Sequence, residues 1–141
     1  IVTHPEFRPF LGRRLEKYRA RATKALEVFA GCEVIRPIVP DGVFYFSATF
    51  DTERFPGTQH LQARNKQVRL YLDELQATNS LRRDKLFAYE LMGAEGVCVV
   101  PLSGFASLHD GFRMTLLEED EALYLDTCHR IRRGAAAFFR A

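Results

Sequence analysis

The first apolar positions of regular spacing are Leu11, Leu15, Tyr18, Ala22, Leu26 and Phe29. Steps of three and four put them on one stripe and predict a helix of about twenty residues beginning at Leu11. Gly31 is the expected stop, because glycine takes a left-handed C-cap conformation without a Cβ clash. Residues 1–10, with Pro5 and Pro9, read as an extended lead-in. Glu33–Pro37 is short and β-branched, and the turn Pro40-Asp41-Gly42 separates it from Val43–Phe50, the strongest strand signal in the chain. The two runs predict a hairpin. After a loop over 51–60, Leu61, Val68, Leu72 and Leu75 form a second helical stripe ending near Asn79. Ser80 is placed to cap a third helix carrying Leu86, Phe87, Tyr89 and Met92, and Gly96 ends it.

The run Val97-Cys98-Val99-Val100 predicts a strand covered on both faces, stopped by Pro101. A loop over 102–110 leads to the alternating strand Gly111–Leu117. The last helix starts at Glu118-Glu119-Asp120-Glu121 and carries the stripe Leu123, Thr127, Ile131, Ala135 and Phe138. Helix, two strands, two helices, two strands and a helix make a small sheet of about four strands packed against helices. That is an α+β layer over 11–141, one domain, and not a regular βαβ array.

Composition narrows the function classes. Of 141 residues 47% are hydrophobic and 27% charged, which excludes a disordered chain. Twenty Lys and Arg face eighteen Asp and Glu, so the net charge of +2 is too small to argue for nucleic acid. No apolar run approaches the roughly eighteen residues of a bilayer span, and no signal-peptide pattern is present. The three cysteines, Cys32, Cys98 and Cys128, include no C-x-x-C pair. They argue against disulfides and zinc, and a reducing, cytoplasmic setting is expected. Cys98, inside the apolar strand, and Cys128, beside the last stripe, read as packed small hydrophobes.

Arg113 is the first candidate for chemistry. Phe112, Met114 and Leu116 share one face of the last strand, so Arg113, Thr115 and Leu117 share the other. A planar guanidinium there can hold a carboxylate through two parallel N–H···O bonds. The strand pattern alone favours a plainer role, a surface salt bridge to Glu118 or Asp120. The acidic cluster itself fits the first turn of a helix better than a metal site, because the macrodipole stabilises carboxylates there. Arg8, Arg13, Arg14, Lys17, Arg19, Arg21 and Lys24 make the first helix basic. They leave open a non-catalytic module that binds nucleic acid or a protein partner. A sensor domain that binds an acid through Arg113 is a third reading. His4, His60, His109 and His129 are scattered, with His109 alone lying in the loop before Arg113. Ser103 and Ser107 lack a G-x-S-x-G setting, and Gly104 belongs to no G-x-G-x-x-G pattern.

Tyr89–Leu117, reading YELMGAEGVCVVPLSGFASLHDGFRMTLL, resembles the small C-terminal domain of class I/II aminotransferases, the fold-type I enzymes that use pyridoxal 5′-phosphate (PLP). The resemblance lies in a helix ending at Gly96, the "V-x-V-x-P" strand Val97–Pro101, the loop Gly104-Phe105 and the strand entry Arg113-Met114. Pro40–Phe46 is similar to the family's "P-x-G-[GAV]-F-Y" segment, and the phrase VVPLSGF leans toward alanine-aminotransferase-like members. Leu102 stands where the family commonly has glycine, and residues 51–64 look like a divergent insertion.

The resemblance implies that Arg113 grips the substrate's α-carboxylate and that Phe105 borders the active-site mouth. It implies an amino group passed between an amino acid and a 2-oxo acid, with PLP held by a large domain of the same polypeptide in a homodimeric parent. No lysine here has the family's serine-rich Schiff-base setting. The chain is therefore expected to be one domain of an enzyme about three times longer, neither binding PLP nor transaminating alone, with no part for nucleic acid, membrane or metal.

Overall fold

The computed structural model describes residues 2–42, 44–78 and 81–140. Its elements are α1 (Phe7–Ala30), β1 (Ile35–Ile38), β2 (Tyr45–Phe50), α2 (Lys66–Ala77), α3 (Arg83–Glu95), β3 (Val100–Pro101), β4 (Gly111–Thr115) and α4 (Glu121–Phe139). The four strands form one antiparallel sheet in the order β1-β2-β4-β3. This is the expected α+β layer, hairpin included.

One face of the sheet carries Phe46, Ala48 and Phe50 from β2 with Phe112 and Met114 from β4, and α1, α3 and α4 cover it. Phenylalanine dominates the layer between. Phe87 of α3 packs against Phe50, Phe112, Phe138 and Phe139 at centroid distances of 5.0–6.5 Å, and Phe29 of α1 meets Phe46 and Phe112. Tilted and edge-on rings of this kind gain electrostatic complementarity beyond their buried area. Polar bonds cross the same layer. Arg21 Nη1 donates to the Leu116 carbonyl at 2.6 Å, and Tyr124 Oη donates to the Arg21 carbonyl at 2.9 Å. The opposite face, with Tyr45, Ser47, Arg113 and Thr115, has none of these helices on it.

Several expectations are corrected. Residues 7–10 are helical and not extended: α1 starts at Phe7, with Pro9 in its first turn, where a missing N–H loses no helical bond. Gly31 is not left-handed, at φ −83°, whereas Gly96 is, at φ 68°, and its N–H closes on the Met92 carbonyl. Leu61 is buried but lies in the irregular segment before α2, whose cap is Asn65, accepting from the N–H groups of Gln67 and Val68. Ser80, with Asn79 and Val43, lies outside the described residues. In α3 the buried face is Asp84, Leu86, Phe87, Glu90 and Leu91, leaving Tyr89 and Met92 exposed.

The run 97–100 is not covered on both faces either. Val97 and Val99 are buried, Cys98 and Val100 are exposed, and only Val100 and Pro101 pair with β4. Cys98 is thus not a packed hydrophobe: it precedes β3 and alternates with the buried Val97 and Val99. Cys128 is buried in α4 beside Tyr124, and Leu123 points to solvent. The last helix starts at Glu121 and not at Glu118: Asp120 caps it by accepting from the Leu123 N–H at 3.0 Å, and only Glu121 of the acidic cluster stands in its first turn.

Candidate functional site

Strand alternation turns Arg113 to the uncovered sheet face, opposite Ser47 of β2 and Val100 of β3. Its guanidinium carbon lies 4.1 Å from the centre of the Phe105 ring and 5.2 Å from that of Tyr45. Both rings are half-exposed, so they supply attraction to the cation while their outer edges meet water. The Arg113 Nε is buried and has no hydrogen-bond partner among the described residues.

The salt bridge to Glu118 or Asp120 is absent: Glu118 accepts from the Asp120 N–H, and Asp120 is taken up by the α4 cap. Among the described residues no carboxylate lies within ion-pair distance of Arg113. Beside it opens a groove of about 340 Å³ lined by Ile38, Val39, Pro40, Asp41, Gly42, Tyr45 and Ser47. A permanent cation with one buried, unanswered donor at the edge of a cleft is matched by a planar anion.

Phe105 reaches Arg113 because the segment after β3 folds into a short 3-10 turn, Leu102–Phe105. Leu102 needs no glycine conformation there. It is buried, and its side chain fills space left by Gly111 of β4: a Cβ at Gly111 would stand 2.7 Å from Leu102 Cδ1 and strike the Ala48 carbonyl oxygen. The turn is tied down by Asp84, fully buried in the first turn of α3, which accepts from the Ser103 N–H at 2.7 Å and from Ser103 Oγ at 2.8 Å. Further along, Arg82 donates to Asp110 Oδ1 at 2.8 Å and to the carbonyls of Ser107 and Leu108, while Arg83 pairs with Asp110 Oδ2. Asp110 pulls the Arg82 pKa further above its ordinary value. His109 is exposed on this loop and does not line the groove.

Two buried carboxylates escaped the reading of the sequence, Asp84 and Glu90. Glu90 accepts from His60 Nδ1 at 2.7 Å and from the Leu61 N–H at 2.9 Å, which pins the 51–64 segment to α3. A signal existed: Asp84 is three and seven residues before Phe87 and Leu91, and Glu90 is four after Leu86. Charges on an apolar stripe mark buried, partnered groups. Arg113 and Phe105, the two site residues named from sequence, are in contact.

The basic residues of α1 make a weaker site. Lys17 pairs with Glu119, Lys24 with Glu121, and Arg21 is buried against the Leu116 carbonyl, so three of the seven are committed inside the domain. The nucleic-acid reading is not favoured. The groove holds no lysine among the described residues: Lys66 is exposed at the start of α2 and Lys85 lies within α3. Among the described residues no helix is long and apolar enough to cross a membrane.

No family model matches the chain. Over 121 residues it is 29% identical to an uncharacterised aminotransferase of Methanocaldococcus jannaschii, covering 86% of this chain and 28% of that protein. The aspartate aminotransferase of Rhizobium meliloti superposes with a TM-score of 0.68 at 20% identity, over 97% of this chain and 29% of that one. An aminotransferase from Escherichia coli gives 0.61 at 15% identity, over 89% and 25%. The aminotransferase Aro8 from Candida albicans gives 0.59 at 18%, over 88% and 25%. The chain spans between 25% and 29% of the length of these relatives. In sequence and in fold it is similar to part of an aminotransferase.

Proposed function

We propose that this chain is the small C-terminal domain of a PLP-dependent aminotransferase, alanine-aminotransferase-like in its Val99–Phe105 phrase, and that Arg113 grips the α-carboxylate of the amino-acid or 2-oxo-acid substrate. The observation that carries this reading is the Arg113 side chain itself, unpaired by any described carboxylate, with a buried free Nε–H beside a groove. Every substrate of such a reaction keeps its carboxylate throughout. A fixed fork therefore orients Cα for proton removal without having to release its hold between half-reactions.

Phe105 and Tyr45 restrict how the guanidinium moves and border the side-chain pocket. PLP supplies the electron sink for the carbanion, and its lysine and phosphate ligands are assigned to a large domain of the same polypeptide, in a cytoplasmic homodimer. In this reading the domain alone neither binds PLP nor transaminates, because the Schiff-base lysine belongs to the large domain.

The test is steady-state kinetics of the whole enzyme with Arg113→Lys. Lysine keeps the charge and loses the bidentate geometry, so kcat/KM for amino acids should fall about 10- to 100-fold, mostly through KM. Unchanged kcat/KM would remove the assignment.

A further inference from the structure

The carboxylate reading of Arg113 leaves unexplained why a fully buried carboxylate, Asp84, sits on the apolar stripe of α3. Its two oxygens are both engaged by one residue: Oδ2 accepts from the Ser103 backbone N–H at 2.7 Å, and Oδ1 from the Ser103 hydroxyl at 2.8 Å. Ser103 lies within the 3-10 turn whose last residue is Phe105, and the Phe105 ring centre lies 4.1 Å from the Arg113 guanidinium carbon. The turn ends at Ala106 with φ 58°, a left-handed conformation that crowds the Cβ of any residue but glycine. Something must hold the turn in that shape: Leu102 packs its start against β4, and Asp84 is the buried polar side chain bonded to it.

We propose that Asp84 is a positioning residue for carboxylate recognition: through Ser103 it sets the turn that lays Phe105 against Arg113, and so fixes the direction in which the guanidinium offers its donors. This inference rests on the reading of Arg113 given above. Charge-assisted hydrogen bonds to a buried carboxylate are strong enough to impose one turn geometry, and the ring then limits the arginine to fewer rotamers. Loss of Asp84 frees the turn and the ring, and Arg113 must be re-ordered each time substrate binds.

The experiment uses the whole enzyme with Asp84→Ala, Asp84→Asn, Ser103→Ala, Phe105→Leu and the double variant Asp84→Ala/Phe105→Leu, and with Arg113→Lys in parallel. Asp84→Ala should raise the amino-acid KM about tenfold with kcat within about twofold. Asp84→Asn should restore most of the loss, since its amide oxygen accepts from the Ser103 N–H and its amide nitrogen donates to the Ser103 hydroxyl. The double variant should be no worse than Phe105→Leu alone, because Asp84 acts through that ring.

Should Asp84→Ala fail to fold, Ser103→Ala carries the test, with a smaller rise in KM that is also absent in the Phe105→Leu background. A purely structural Asp84 would give losses that add to those of Phe105→Leu, or a fall in kcat with KM unchanged, and either result overturns the proposal. If Arg113→Lys matches wild type, the carboxylate reading fails. If Arg113→Lys is impaired and the Asp84 and Ser103 variants are not, the positioning role alone fails.

Discussion

At the scale of single residues the interior is set by groups whose protonation or pairing is fixed by burial. Burial pushes the Cys128 thiol up to about 11, opposed in part by its hydrogen bond with Tyr124. Burial, reinforced by Cys128, also raises the Tyr124 phenol, with Arg21 pulling the other way. Both groups are neutral when protonated, so the folded chain keeps protons that the unfolded chain gives up. The thiol's contribution is complete below about pH 9, its ordinary value, and is lost as pH rises toward 11, while that of the phenol starts to fall only above its own ordinary value of 10. Urea unfolding should therefore show a fall in stability on the order of 2 kcal/mol across that window, and Cys128→Ala should flatten its thiol part. Glu90 obeys a related rule. Replacing it by leucine leaves the Leu61 N–H and His60 Nδ1 without their partner, and should cost about 1–3 kcal/mol in the same assay.

At the scale of elements, helical periodicity is legible where a helix lies on the core and misleading where it does not. In α1 the stripe through Ala22 and Phe29 is buried, yet Leu11 of the same stripe is exposed, because no other described element covers that end. The alternation of β4 points Arg113 in the right direction, since period two leaves only two faces to choose from. The run 97–100 reads as two-sided because hydrophobicity alone does not show which side is covered, whereas Val97 and Val99 are buried and Cys98 is exposed. For Asp84 and Glu90 the stripe of α3 carries the sign of burial but not the partners, a serine 19 residues away and a histidine 30 away, which no local pattern contains.

Two glycines separate backbone demands from packing demands. Gly96→Ala meets open space and only strains a φ of 68°, so it should cost about 1 kcal/mol in urea unfolding. Gly111→Ala drives a methyl into the Ala48 carbonyl and Leu102, and should cost about 3 kcal/mol while disturbing the turn that carries Phe105.

At the scale of the whole molecule, the accessible surface is 8848 Å², against roughly 7,500 Å² for a free-standing globular chain of this size. Exposed apolar side chains lie on the first turns of α1, at Phe10 and Leu11. Ile38, Val39, Tyr45, Val100 and Phe105 are exposed around the Arg113 face. A helical layer thus covers one side of the sheet, and the arginine-bearing face on the other side is bare of α1, α3 and α4. The most direct test replaces the ligand's charge as well as the protein's: measure, for the whole enzyme and for Arg113→Met, the affinity for an amino-acid substrate and for its carboxamide analogue. Wild type should favour the carboxylate by about 100-fold, and Arg113→Met should bind the two within a few fold. If Arg113→Met keeps the wild-type preference, Arg113 does not hold the carboxylate.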